Sequence, residues 1–399
     1  MSTRGTAAAR EMVLRRPALL YERLHRDGPL QWNEKASCWL VVGFELARVV
    51  LRDTRYRMPR PATDSRWMRD PELSGFVLGM MLETEGADHE RLRRILGPVF
   101  GPRAVRARAR RTEAMMDGLL DAVEAGRSRF DAVEAISGRL PVDVVGDLVG
   151  IPAAERDEIS ALCRRISRGG GLADSVPDAD AVAASVAGVR ELRDRIRTWP
   201  VGDEESVPGT GDSVLGRTAR FREGPDALTE PQVVATVFSL YLAGHDTSRN
   251  LLSALLHRLA DEDGLFDAVA TGRANRSALV DEVLRTEAPL TFTVRVSDED
   301  TELAGRVIRA GTPLRVMLGA ANHDPLHDAG LTGPPGGLAF GEGRHVCLGA
   351  HVARMEGVVM LDVLARRLSR IRSGGAARWS PHFLHRGLVE LPLEVVWRR

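Results

Sequence analysis

The residues with the clearest chemical potential lie in a glycine-rich loop near the C-terminal end of the sequence. Residues 340–349 read FGEGRHVCLG, and Cys347 comes directly before a helical pattern that continues over residues 350–367. A cysteine at a helix N-terminus is favoured as a thiolate, because the exposed amides and the positive end of the helix dipole stabilise the anion. The loop glycines allow positive φ angles and a close approach of the backbone to a flat, bulky group.

Residue type alone leaves several roles open for Cys347. A lone cysteine is often only a small buried hydrophobic residue. A zinc site is a second alternative, because His345 and His351 flank the cysteine, although no CxxC pair supplies further ligands. A thiolate at this position could also hold another metal, which hydrogen bonds to the sulfur would tune.

The order of aromatic residue, glycines, histidine, cysteine and glycine in this loop resembles the haem-ligand loop of the cytochrome P450 superfamily. The resemblance implies a mainly α-helical fold with small β-sheets around a buried haem b. It also implies that Cys347 is the only protein ligand of the iron. Phe340, Gly341 and Gly349 would then lie against the cofactor.

Cations that could neutralise the haem propionates are found in three places. His89 and Arg93 are four residues apart in a helical pattern, so they share one face of that helix. A solvated arginine-rich helix is the alternative, but the pair resembles the propionate clamp of the family, in which cations meet otherwise unpaired buried carboxylates. The resemblance gives Arg295 and His345 the same role.

A long helix is predicted to begin at the capping box of Thr229 and Gln232 and to continue to about Asp261. Residues 233–244 are apolar on nearly all sides, which indicates a helix that is buried all round. At twelve residues this apolar stretch is too short to span a membrane.

Polar residues interrupt this helix at Asp246 and Thr247, next to Gly244. Such residues are costly in a buried helix, and Thr247 is able to bond back to the carbonyl of Ala243 and distort the turn. An incidental weak point is the alternative, but the segment resembles the oxygen-binding kink of the family. The resemblance implies that Ala243 and Gly244 lie at the haem, and that Asp246 and Thr247 deliver and orient protons.

A Glu-x-x-Arg pair, Glu282 and Arg285, resembles another family motif. The family usually completes it with an arginine from the segment before the cysteine loop, and residues 326–339 contain no arginine. We expect either that His323 or His327 replaces this arginine or that this side of the haem is built differently.

The substrate pocket is predicted from residues near the haem in the family. Residues 58–81 carry several prolines and glycines and are expected to be irregular; such long loops often bind ligands. The candidate pocket residues are Trp67, Phe76, Val77, Phe238, Leu242, Leu290, Thr291, Phe292 and Thr293.

Smaller elements are also predicted from local patterns. Residues 17–27 form a short amphipathic helix, and residues 30–33 and 38–42 form a hairpin. Residues 301–316 form two strands around Ala310 and Gly311. A terminal strand pair covers residues 385–396.

The composition of the whole chain restricts its partners and location. The 399 residues contain 55 basic and 55 acidic side chains, and this balance favours neither nucleic acid nor an anionic membrane as a partner. Three widely spaced cysteines form no disulfide framework, which fits the cytoplasm. Residues 1–16 show no apolar core of a signal peptide, so we expect a flexible segment at the start of a single domain, residues 1–399.

The resemblance implies a monooxygenase that activates O2 with electrons from NAD(P)H, delivered by a ferredoxin and a ferredoxin reductase. Arg91, Arg94, Arg354 and the arginines of residues 103–111 are expected to form a basic face for that partner. The monomeric enzyme would hydroxylate or epoxidise a small hydrophobic molecule or secondary metabolite. A coupling enzyme of the same fold is one alternative, and a non-catalytic haem protein is another, against which Asp246 and Thr247 argue.

Overall fold

The computed structural model confirms a mainly α-helical fold with small sheets. The flexible segment predicted for residues 1–16 lies outside the described part of the chain. The structure describes residues 17–60, 66–124, 128–169, 179–199, 213–221, 223–224, 226–327 and 334–398.

The helices carry most of the described chain, and the longest of them is α11. They are α1 Pro17–Arg26, α2 Phe44–Arg52, α3 Arg66–Arg69, α4 Pro71–Leu78, α5 Gly86–Phe100, α6 Pro102–Glu124, α7 Leu140–Val149, α8 Arg156–Gly169, α9 Ala179–Thr198, α10 Val214–Ala219, α11 Glu230–Asp261, α12 Leu265–Ala270, α13 Arg276–Thr286, α14 Leu318–Ala321 and α15 Ala350–Arg367. Among the described residues, no helix combines the length and the apolar composition needed to cross a membrane.

The strands form one five-stranded sheet, one three-stranded sheet and two hairpin-like pairs. They are β1 Leu30–Asn33, β2 Cys38–Val41, β3 Tyr56–Arg57, β4 Arg129–Asp131, β5 Thr293–Ser297, β6 Thr301–Leu303, β7 Arg306–Ile308, β8 Leu314–Val316, β9 Leu368–Ser373, β10 Arg378–Trp379, β11 Leu388–Glu390 and β12 Pro392–Trp397. The five-stranded sheet has the order β1-β2-β8-β5-β3, and the three-stranded sheet has the order β4-β12-β9. Among the described strands, β2 and β8 are the one pair that runs parallel.

Two compact units are distinguished by their internal contacts. The first contains Met1–Pro59, Ala109–Leu140 and Thr247–Arg399, and the second contains Arg60–Arg108 and Pro141–Asp246. Three of the boundaries fall inside helices, in α6, α7 and α11. The single-domain organisation therefore stays a prediction.

The second unit has a helical core in which α4, α7, α8 and α9 pack with the first half of α11. Helix α4 lies in the region that we expected to be irregular, and that expectation is wrong. Asp70 caps the helix by accepting hydrogen bonds from the amides of Glu72 and Leu73, and Pro71 occupies the first helical position. The proline that suggested a loop therefore starts a helix.

The capping box of the long helix is confirmed. The Thr229 amide donates to Gln232 Oε1 at 3.0 Å, and the Gln232 amide donates to Thr229 Oγ1 at 3.4 Å. The reciprocal bonds satisfy two amides that the first helical turn leaves without intrahelical partners. They fix the start of α11 at Glu230.

The strand predictions near residues 301–316 and 385–396 are wrong in their pairing. Strands β6 and β7 pair around Ala304 and Gly305, whose φ angles are 49° and 73°, rather than around residues 310–311. At the C-terminal end, β11 pairs with β10, while β12 pairs with β4 and β9. The first error is local, because the positive-φ turn at Ala304 and Gly305 was not recognised from the sequence. The second error arose because pairing between distant segments is not encoded in local alternation.

Asn322 joins the Glu282–Arg285 pair to the segment before the cysteine loop. Arg285 forms two hydrogen bonds with Glu282, at 2.8 and 3.0 Å, and its Nη1 donates to the Asn322 carbonyl at 3.2 Å. Asn322 Oδ1 accepts from the Leu338 amide at 2.7 Å, and its Nδ2 donates to the Arg285 carbonyl at 3.1 Å. A neutral amide therefore makes the connection that the sequence suggested for a histidine.

The two histidines that we considered have other contacts. The His323 ring bonds to the Gly319 carbonyl at 2.8 Å, and the His327 ring stacks on Phe44 with ring centroids 3.9 Å apart. The Glu282 side chain is 43% exposed, so its pair with Arg285 is weaker than a fully buried ion pair.

We expect Asn322→Ala to lower the free energy of unfolding by about 1–3 kcal/mol, because the buried Leu338 amide loses its acceptor. Urea unfolding followed by circular dichroism measures this change. Asn33→Ala is the matched control, since Asn33 accepts only from the Ala36 amide in a surface turn. Equal losses in the two variants would contradict the role of Asn322.

Candidate functional site

The Cys347 loop presents its thiol at the start of α15. Gly341 and Gly343 have φ angles of 65° and 76°, and the Cys347 amide donates to the Phe340 carbonyl at 2.9 Å. Cys347 is exposed, so a buried hydrophobic role is wrong for this cysteine. Helix α15 begins at Ala350, as predicted.

The other two cysteines have the opposite environment. Cys38 and Cys163 are buried, and burial raises the pKa of both thiols, to about 12 for Cys163. A thiol with such a pKa stays protonated at neutral pH and is a poor metal ligand. Cys347 is therefore the cysteine best placed to act as a thiolate.

The residues around Cys347 fit haem better than zinc. Zinc needs three or four protein ligands, and no group of three or more His, Cys, Asp or Glu side chains among the described residues is arranged to hold a metal ion. Haem iron brings four nitrogen ligands of its own and needs one protein ligand on this side. A single exposed thiol at a helix start meets that need.

A cation stacks on the aromatic residue that begins the loop. The Arg354 guanidinium carbon lies 4.6 Å from the centroid of the Phe340 ring. Arg354 also donates to Asp281 Oδ1 at 2.7 Å and to the Pro335 carbonyl at 2.6 Å. These contacts hold the first residue of the loop against α15 and α13.

Arg295 is a buried cation in the first unit. Its Nη1 donates to Met58 Sδ at 2.8 Å, to Thr293 Oγ1 at 3.1 Å and to the Val294 carbonyl at 2.8 Å. A guanidinium in such surroundings suits a buried carboxylate, which forms strong hydrogen bonds with it. The haem propionates are carboxylates of this kind.

His89 and Arg93 lie in α5 of the second unit, one helical turn apart, as predicted. His89 is buried and Arg93 is half-buried. His345 of the first unit lies in the short 3-10 turn Gly343–His345 and is half-buried. The role of these three side chains toward the propionates stays a prediction.

Helix α11 is a continuous α-helix through residues 243–247, so the expected local opening is not observed. Gly244 has a different explanation. A Cβ at this position would lie 2.8 Å from Val145 Cγ2, so the glycine allows α7 to pack closely on α11. Ala243 is exposed although Phe238 and Tyr241, on the same helix, are fully buried.

The acid and alcohol of this helix are both half-buried. His245 Nδ1 lies 3.2 Å from Asp246 Oδ1, so the carboxylate has a titratable neighbour in its own unit. Consecutive helix residues point about 100° apart, so Asp246 and Thr247 face different directions. Their roles in any proton transfer must therefore differ.

Sequence reasoning missed a buried acid that contacts α11. Ser248 Oγ donates to Glu356 Oε2 at 2.6 Å, and Glu356 is fully buried in α15. Glu356 Oε1 has no hydrogen-bond partner among the described residues. Burial raises the pKa of Glu356 to about 8, so this acid carries a proton at neutral pH. In the sequence, the only signal for this buried acid was a glutamate within an apolar helical pattern.

Several predicted pocket residues are packed in hydrophobic clusters. Phe76 and Phe238 are fully buried with ring centroids 5.1 Å apart, and Val77 belongs to the same core. Phe292 packs on the cluster that contains Tyr21. Their role in substrate contact stays a prediction.

The other predicted pocket residues have mixed positions. Thr291 is buried, and its Oγ1 donates to the Phe383 carbonyl at 2.6 Å. Leu242, Leu290 and Thr293 are partly buried. Trp67 lies in α3, and its side chain is outside the described part of the structure.

Part of the predicted basic face is paired with acidic residues. Arg91, Arg94 and Arg354 each pair with a carboxylate, at N···O distances of 3.2, 2.5 and 2.7 Å. Arg108 is buried and lies 3.4 Å from Asp147. The other arginines of residues 103–111 are exposed, and the basic face stays a prediction.

Similarity to individual known proteins identifies the family, although no family model matches the chain. The chain is 31% identical to the cytochrome P450 monooxygenase PikC of Streptomyces venezuelae, over 96% of this chain and 91% of that protein. It is also 31% identical to the mycinamicin IV hydroxylase/epoxidase of Micromonospora griseorubida, over 93% and 95% of the two chains.

Solved structures agree with these relatives. The crystal structure of P450BioI in complex with an acyl carrier protein ligated to hexadec-9Z-enoic acid has a TM-score of 0.84 and 25% identity, and the match covers 97% of this chain and 100% of that one. The chain belongs to the cytochrome P450 family. It is a monooxygenase that uses haem b and O2, and it needs redox partners that deliver electrons from NAD(P)H.

The raised pKa of Glu356 predicts a pH-dependent stability. Between pH 4.5, the ordinary pKa, and about 8, the folded protein keeps a proton that the unfolded chain releases. The free energy of unfolding should therefore fall as pH rises through this window, by at most about 1.4 kcal/mol per pH unit. Glu356→Gln should remove this slope in urea titrations, whereas Glu262→Gln, at the exposed end of α11, should retain it. Equal slopes in wild type and Glu356→Gln would contradict the assignment.

Proposed function

We propose that Cys347 is the protein ligand of the haem iron in this monooxygenase. The observation that supports this proposal is the exposed thiol at the start of α15, in a chain whose other cysteines are buried. When bound, haem supplies the site at which O2 is activated and one oxygen atom passes to the substrate. Phe340, Gly341 and Gly349 would contact the cofactor beside the thiolate.

The remaining haem contacts follow from the positions of cations and small residues. His89, Arg93, Arg295 and His345 would bind the propionates, because each offers donors in a partly or fully buried position. Ala243 and Gly244 would contact the cofactor through small surfaces of α11.

Proton delivery is assigned to the polar residues of α11. Thr247 would hold a proton donor at the oxygen that is to be protonated, and Asp246 would relay protons from solvent with His245 as its neighbour. Ser248 and the protonated Glu356 form a second hydrogen-bonded pair one residue further along the helix. The four residues supply both an exchangeable proton and an orienting hydroxyl.

We infer an apolar natural product or acyl chain as substrate, because the chain is similar to PikC, to the mycinamicin hydroxylase/epoxidase and to an enzyme crystallised with an acyl carrier protein. The candidate substrate contacts would be Trp67, Phe76, Val77, Phe238, Leu242, Leu290, Thr291, Phe292 and Thr293. Of these, Leu242, Leu290, Phe292 and Thr293 are partly buried. A ferredoxin with its reductase would supply the electrons to a cytoplasmic monomer.

Cys347→Ser tests the ligand assignment. The ferrous carbonyl complex of the wild type should show the red-shifted Soret band of a thiolate-ligated haem, and Cys347→Ser should lose that band. Cys38→Ala and Cys163→Ala are matched controls and should keep it. If the band survives in Cys347→Ser, the loop is not the site of iron ligation.

Thr247→Ala tests proton delivery. We expect normal haem content and oxygen consumption, but a large loss of product per electron, with hydrogen peroxide released instead, since positioned proton donors contribute about 10²–10⁴-fold. A screen for spectral shifts upon addition of apolar compounds provides the substrate for this measurement.

Ser239→Ala is the matched control for Thr247→Ala. Ser239 is a hydroxyl residue of the same helix and donates to the Ala235 carbonyl at 2.5 Å. An unchanged product yield per electron in Thr247→Ala would show that Thr247 is structural and would favour coupling chemistry.

A further inference from the structure

A carboxylate in the cysteine loop contacts two arginines of helix α2. Arg48 Nε donates to Glu342 Oε2 at 3.1 Å, and Arg52 Nη2 donates to Glu342 Oε1. The Glu342 side chain is only 17% exposed, whereas Glu45, which also pairs with Arg48, is 64% exposed. Glu342 is therefore the enclosed member of this charge cluster.

The two residues after Glu342 also contact α2 or the turn that follows it. A Cβ at Gly343 would overlap the carbonyl oxygen of Leu51 and would lie 3.1 Å from Arg52 Cα. Arg344 Nη2 donates to the Thr54 carbonyl at 2.7 Å. Three consecutive loop residues are thus fixed to one short segment, residues 51–54, and to the arginine side chains beside it.

Two backbone hydrogen bonds within the loop connect these loop residues to Cys347. The Val346 amide donates to the Gly343 carbonyl at 3.1 Å, and the Cys347 amide donates to the Phe340 carbonyl at 2.9 Å. A displacement of residues 342–344 would therefore move the residue that carries the thiol. Within the loop, this link to Cys347 consists of backbone hydrogen bonds.

We propose that Glu342 is a positioning residue, which holds the Cys347 loop on α2 in the conformation that keeps the thiolate bound to iron. The inference rests on the proposed function, since it requires Cys347 to be the ligand. The loop contacts α2 through the charge-assisted hydrogen bonds of Glu342. Such bonds are stronger and more directional than neutral hydrogen bonds.

The alternative is that Glu342 forms ordinary surface ion pairs, which contribute little. Its geometry argues against this reading, because one carboxylate meets two guanidinium groups while its own side chain is enclosed. Glu45 provides the comparison within the same cluster. It pairs with Arg48 at 3.2 Å on the exposed side of α2, and it belongs to the helix rather than to the loop.

The test compares Glu342→Gln with Glu45→Gln in the haem-loaded protein. Both changes remove one negative charge near Arg48. We expect Glu342→Gln to lose the red-shifted ferrous carbonyl band about tenfold faster than wild type, as expected for one lost charge-assisted hydrogen bond. Glu45→Gln should lose it at the wild-type rate, and Glu342→Asp, which keeps the charge, should lie between the two.

A reduction potential provides a second readout that general destabilisation would not move. A weaker thiolate bond should raise the potential of the iron in Glu342→Gln and leave it unchanged in Glu45→Gln. If Glu342→Gln fails to fold, Arg52→Gln removes one of the two contacts and should show a smaller increase in the rate of band loss.

Three outcomes would overturn the inference: a wild-type band lifetime in Glu342→Gln, equal losses in Glu342→Gln and Glu45→Gln, or a wild-type lifetime in Arg52→Gln where Glu342→Gln does not fold. The Cys347→Ser variant separates this failure from failure of the ligand assignment. If Cys347→Ser loses the band and Glu342→Gln keeps it, Cys347 is the ligand and Glu342 does not position it.

Discussion

The hydrogen bond from the Cys347 amide to the Phe340 carbonyl closes the loop on which the site depends. It bends the chain so that the thiol emerges at the first turn of α15, where the helix dipole favours an anion. The bend requires positive φ at Gly341 and Gly343, and the second glycine also lets the backbone rest on Leu51. A residue with a Cβ would disfavour the positive φ angles and, at position 343, would clash with Leu51. The backbone conformation of the loop therefore largely determines where the thiol lies.

Two sets of buried polar side chains differ in the partners that they have. In the first unit, cations meet enclosed partners, as in the contacts of Arg354 with Asp281 and of Arg295 with Met58 and Thr293. Near the polar segment of α11, by contrast, Glu356 has one hydrogen bond and no counter-ion among the described residues, so it remains protonated near neutral pH. One region stabilises fixed charge, and the other retains a proton that can be exchanged.

The sequence predicted what depends on short-range signals. The start of α15, the capping box of Thr229 and Gln232 and the spacing of His89 and Arg93 all follow from neighbouring residues, and the structure confirms them. The function class followed from ten residues around Cys347. Contacts between distant segments were not predictable: nothing local to Gly244 indicates Val145, and nothing local to Asn322 indicates Leu338. Apolar side chains such as Phe292 suit a pocket or a core equally well, and only packing distinguishes the two.

Strand β12 has a consequence for how the chain is made. It is the middle strand of its sheet, and it pairs with β4, while Leu391 donates to Asp131 across a sequence separation of 260 residues. Ribosomes add about 5–20 residues per second, so β4 waits roughly 13–50 seconds for its partner. During that interval β4 lacks β12, the one strand that pairs with it in the described part of the chain, and the segment around residues 129–131 is open to pairing with other chains. Nascent protein is therefore exposed to misassembly at this sheet until after the Cys347 loop has been synthesised, because β12 follows that loop in the chain.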